Sequence, residues 1–156
     1  MAYEIIRPNF QLPISAGSVL VPRTPVKLVG SSVLLVLPVA SSNDRPFGMI
    51  GEATAPVTSP TGDAVSGFAA VVIEEGNIVK AIAAASLGVG VEVTMATLGV
   101  ATNAQGGSYL ATVPQLGPIT VASGSGQWAV GLALTPAKAG ELFSLYIKPR
   151  QTGGLA

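Results

Sequence analysis

Gln127–Pro149 reads QWAVGLALTPAKAGELFSLYIKP, a strand, a brief turn-like excursion and a second strand. Val130, Leu132 and Leu134 alternate with the small residues Gly131 and Ala133, and Leu142, Phe143, Leu145 and Ile147 make a denser apolar run. Between them, Thr135 followed by Pro136 suits a single helical turn, with the hydroxyl as N-cap and proline at the first helical position. Gly140 supplies a left-handed residue to end it. The same grammar recurs once, in Pro46–Ile73, where Gly51-Glu52-Ala53-Thr54-Ala55-Pro56 matches Gly131-Leu132-Ala133-Leu134-Thr135-Pro136 as G-x-A-x-x-P. In both places a glycine (Gly67, Gly140) leads into an apolar strand ending at Ile73 or Ile147. We expect two related strand pairs in one β-domain.

Working outward, the rest of the chain carries the same signals. Met1–Pro25 holds Pro8, Pro13, Pro22 and Pro25 with apolar residues between them, which rules out a helix and most central strands. It reads as an extended segment, either a strand lying along the domain or an arm docked on a neighbour. Val26–Val39 predicts two buried strands meeting at Gly30-Ser31-Ser32, followed by a polar turn, Ser41–Arg45. Phe47–Ala55 is a strand, and Pro56–Gly67 is a long loop with strong turn chemistry, of the kind used in function or at an interface. Phe68–Glu74 and Ile78–Ala84 predict strands joined as a hairpin at Glu75-Gly76-Asn77. Ala83–Leu87 is alanine-rich enough to start a helical turn. Val91, Val93 and Met95 alternate with Glu92 and Thr94 as a half-exposed strand. Tyr109–Val113 and Ile119–Ala122 predict short strands separated by Pro114–Pro118. About ten short strands with Gly/Pro turns give an all-β class, a small barrel or sandwich with little helix.

Composition narrows what such a domain can do. The 156 residues suffice for one cored domain. They are 49% hydrophobic and only 10% charged, with eight cations balancing eight anions. That balance argues against disorder and against binding nucleic acid through a general positive field. A folded monomer of this mass exposes on the order of 7,000 Å², so its charges stand at about one per 450 Å², sparse for a free surface. The chain is expected to bury much of its exterior in partners. No secretory signal is visible in Met1–Leu12, and Val33–Ala40 is too short to span a bilayer and is broken by Pro38. Synthesis in the cytoplasm and no membrane association follow as expectations.

Chemistry is scarce. With no cysteine and no histidine, thiolate nucleophiles, disulfides, zinc–sulfur sites and the commonest nucleophile–base pairs are absent. Carboxylates remain, but Glu74 and Glu75 are adjacent and on a strand would face opposite ways. Nothing singles out a pair among Glu52, Glu92 and Glu141. Gly88-Val89-Gly90 and Ser123-Gly124-Ser125-Gly126 both lead into strands, so neither builds a phosphate-cradling loop. We expect no enzyme activity, no cofactor and no metal.

Pro46-Phe47-Gly48-Met49-Ile50-Gly51-Glu52-Ala53, Gly76-Asn77-Ile78-Val79-Lys80-Ala81, Leu87–Val93, Gly99-Val100-Ala101, Val130-Gly131-Leu132-Ala133-Leu134 and Ala139-Gly140-Glu141-Leu142 form a pattern of glycine, alanine and aliphatic positions. Over roughly Val26–Lys148 it resembles the capsid decoration, or cement, proteins of tailed bacteriophages. The resemblance implies a β-barrel or β-tulip-like domain at 26–149, with an extended arm at 1–25 and a tail at 150–156. It implies a homotrimer on the outside of an expanded phage head that stabilises the head against internal DNA pressure. The partners would then be the major capsid protein and neighbouring trimers, with no direct nucleic acid. The arm residues expected to reach the capsid are Tyr3, Ile5, Ile6, Arg7, Phe10, Leu12 and Ile14, by adding an extended segment to a sheet edge. Other readings are a tail or baseplate β-module, and a carbohydrate-binding sandwich using Trp128, Tyr109 or Tyr146.

Overall fold

The computed structural model describes residues 2–3, 10–13, 19–20, 22–30, 35–39, 41–51, 64–65, 69–97, 100–102, 108–110, 114–119 and 126–152. The described residues contain no helix, and their strands are β1 (Phe10–Pro13), β2 (Val19–Leu20), β3 (Pro25–Val29), β4 (Leu35–Pro38), β5 (Gly48–Ile50), β6 (Ala64–Val65) and β7 (Ala69–Glu74). They continue as β8 (Ile78–Ala83), β9 (Glu92–Thr97), β10 (Val100–Thr102), β11 (Ser108–Leu110), β12 (Gln115–Pro118), β13 (Gln127–Ala133) and β14 (Leu142–Thr152). The all-β class read from the sequence is the one the chain adopts.

The strands hydrogen-bond in three sets. β12, β8, β14, β13 and β9 follow one another around a ring that closes when β9 pairs with β12. A five-stranded antiparallel sheet runs β1-β7-β5-β3-β4, and a four-stranded one runs β10-β11-β2-β6. Ring and five-stranded sheet share one core. Val39, Met49 and Ile73 belong to the same buried cluster as Val79, Leu116, Phe143, Leu145 and Ile147. Burying side chains of this size contributes roughly 1.5–3 kcal/mol each.

The ring is built twice from one unit. Residues 78–97 and 128–147 correspond without a gap, each residue matching the one fifty positions later, as Leu87 matches Ala137. Leu87 and Ala137 meet as an antiparallel bridge, each donating its N–H to the other's carbonyl, at 2.8 and 3.2 Å. Around them the bonds come in matched pairs. Ala83 N–H donates to Glu141 O and Ala133 N–H to Val91 O, both at 2.9 Å. Gly140 N–H donates to Ala83 O and Gly90 N–H to Ala133 O, both at 2.7 Å. Strand pairing obeys the same operation, since Phe143 lies opposite Ala81 and Val93 opposite Gly131. A local two-fold axis therefore passes through the Leu87–Ala137 bridge. The symmetry breaks where β12 is inserted between β8 and β9, whereas β13 and β14 pair directly, and where the β8–β14 ladder runs on to Ile78 opposite Tyr146 while β13 and β9 are in register only at Gly131 and Leu132.

Several local expectations change. The turn after Thr135 is not helical, because Ala137 is held extended by Leu87, and for the same reason Ala83–Leu87 starts no helical turn. Gly140 does take the left-handed conformation, φ 84°, as does its counterpart Gly90 at 81°. Gly76 turns at φ 91°, yet Glu75-Gly76-Asn77 closes no hairpin. β7 pairs with β1 and β5 while β8 pairs with β12 and β14, so the turn carries the chain from sheet to ring. The buried Asn77 amide donates to Glu74 O at 2.9 Å, and Gly76 N–H donates to Ile147 O.

Pro114–Pro118, read as a separator, contains β12. Its prolines fall just before the first residue and at the exposed last one, positions where the missing N–H costs no ladder bond. Within β13 a register shift between Ala129 and Gly131 puts Val130, Gly131 and Ala133 inside and leaves Leu132 and Leu134 half-buried. The match that starts at Gly51 runs onto residues 52–56, outside the described ones. Most of the 56–67 loop lies there too, apart from β6, which pairs with β2.

Candidate functional site

On β14, side chains alternate between the core and the outer face of the ring. Phe143, Leu145 and Ile147 point inward and are fully buried, so Ser144 between them points outward. It is nevertheless 0% exposed. Its hydroxyl accepts the Tyr3 N–H at 2.5 Å and donates to the Tyr3 carbonyl at 2.9 Å. Ser144 N–H in turn donates to Thr135 Oγ1 at 2.9 Å, and its carbonyl accepts from Leu134 N–H at 2.8 Å. The Thr135 hydroxyl thus ties two strands together instead of capping a helix. Nothing in the sequence had marked Ser144. Its one signal is the hydroxyl of Thr94 fifty positions earlier, which is visible once the duplication is known.

The arm residues divide. Tyr3 is clasped by its backbone to Ser144, while the residue as a whole remains 44% exposed. Phe10 and Leu12 stand in β1, opposite Val72 and Ala70 of β7. Ile5, Ile6, Arg7 and Ile14 lie outside the described residues. β2 is also in the first 25 residues and pairs with β6 and β11. At the other end, β14 continues through Thr152 and pairs there with Gln127.

The described residues line clefts at two places on the surface. The first, about 460 Å³, lies among Leu28, Arg45, Phe47, Glu74, Glu75 and Pro149. Glu74 and Glu75 share it because Glu75 has left the strand for the turn, not facing away as a strand would require. The second, about 650 Å³, has the Glu92–Arg150 ion pair (2.7 Å) on its wall with Leu132 and Thr152. Hydrogen bonding to Glu92, and then its negative charge, holds the Arg150 guanidinium above its ordinary value. Both partners touch solvent, so this is a surface pair of small energetic weight.

The carboxylates considered for acid–base work do not converge. Glu92 is engaged by Arg150, Glu141 Oε2 accepts the Lys138 N–H at 2.8 Å, and Glu52 lies outside the described residues. Among the described residues no group of three acidic side chains is placed to hold a metal ion. The Trp128 ring carries the Arg45 guanidinium 5.4 Å from its centroid, so that face is already used within the chain. Tyr146 is half-buried on β14, and Tyr109 stands in β11.

No protein-family model matches this chain, and no curated protein matches it. Among solved structures, it is similar to the N base of the head fiber protein gp8.5 of bacteriophage phi29. That likeness has a TM-score of 0.43 at 16% identity and covers 90% of this chain and 93% of that one.

Proposed function

We propose that this chain is a structural protein of a phage virion that binds the outer surface of an expanded head as a homotrimer and stabilises it. The observation that carries the reading is the surface. Eight cations and eight anions over 7,718 Å² of accessible area come to roughly one charge per 480 Å². A surface so poor in charge favours association over free solution. The turns flanking the local two-fold are exposed: one is Gly88-Val89-Gly90, with Val89 67% exposed, and the other is Lys138-Ala139-Gly140, with a single charge between them. The resemblance of the sequence pattern to decoration proteins supports the same reading, a mechanical role without bond chemistry. A trimer gripping several capsid subunits turns many weak contacts into one multivalent contact. Binding the assembled shell and not its dissociated subunits stabilises the shell by mass action. The major capsid protein and neighbouring trimers are the partners in this reading, the chain is made in the host cytoplasm, and its place is the head exterior.

The experiment is co-sedimentation of the purified chain with expanded, undecorated heads, followed by heating of the complex. Saturable binding at fixed stoichiometry and a higher disruption temperature are expected. A chain that stays in the supernatant at micromolar concentration overturns the reading.

A further inference from the structure

We draw no further inference here: the strongest candidate, the surface cleft in which Glu74 and Glu75 lie together beside Leu28, Phe47 and Pro149, is an acidic pair between apolar walls, and nothing in the structure shows what covers it.

Discussion

Gly131 sets how closely β13 approaches β14. A Cβ built there would run into the Tyr146 carbonyl, with a Leu145 methyl beside it. Backbone cannot yield as a side-chain tip does, so Gly131→Ala forces the two strands apart along a ladder that extends from Gln127 to Ala133. We expect a loss of about 2–3 kcal/mol, the upper part of the usual range for overpacking, seen as a lower urea midpoint at unchanged slope. Phe143, fully buried at the centre of the shared core, sets the opposite limit. Phe143→Ala opens a cavity instead of a clash and is expected to cost about 3–5 kcal/mol. A loss under 1 kcal/mol in either variant would mean that the ring can relax around these positions.

The element that organises the ring is the duplicated strand–turn–strand unit, and its symmetry is testable through its two left-handed glycines. Gly90 and Gly140 have φ near 81° and 84°, and a Cβ on either would meet nothing within 4 Å. Substitution by alanine therefore costs backbone strain alone, about 1–2 kcal/mol at each site. Gly90→Ala and Gly140→Ala should be equal within error, as measured by chemical denaturation. A clear inequality would show that the inserted β12 has made the two turns different.

This level of organisation was only partly legible in the sequence. Turn glycines and alternating aliphatics gave the class and most of the strands, because positive φ and period-two burial are imposed locally. The duplication was hidden because only Ala83/Ala133 and Gly90/Gly140 are identical across the twenty aligned residues. What the units share is a burial sequence and a bonding pattern, both created by the partner unit. The helical turn at Thr135 and the hairpin at Gly76 differ from expectation for one reason: local propensity cannot name the distant strand that captures each turn. Ser144 was illegible in the same way, since a serine on a strand's outer face is unremarkable until a residue 141 positions away lies on it.

At the scale of the whole molecule, ring and five-stranded sheet are joined by a common core as well as by the Gly76 turn. Met49 and Ile73 from the sheet and Phe143 from the ring lie in one buried cluster, so neither part can open without exposing the other. The chain should therefore unfold in a single transition with matching calorimetric and van't Hoff enthalpies. Met49→Ala and Phe143→Ala should both move that one transition. Assembly adds a second condition. If the charge-poor surface is covered by copies of the chain before any head is met, light scattering should give close to three times the 15.6 kDa chain mass. Melting would then depend on concentration, because dilution favours the unfolded monomers by mass action. At ~2–4 °C per kcal/mol for a chain of this size, a tenfold dilution should lower the midpoint by several degrees. A 15.6 kDa species with a concentration-independent midpoint would place trimerisation on the shell itself. The same surface would then be buried only where the head supplies the template, and head binding should become steeply cooperative.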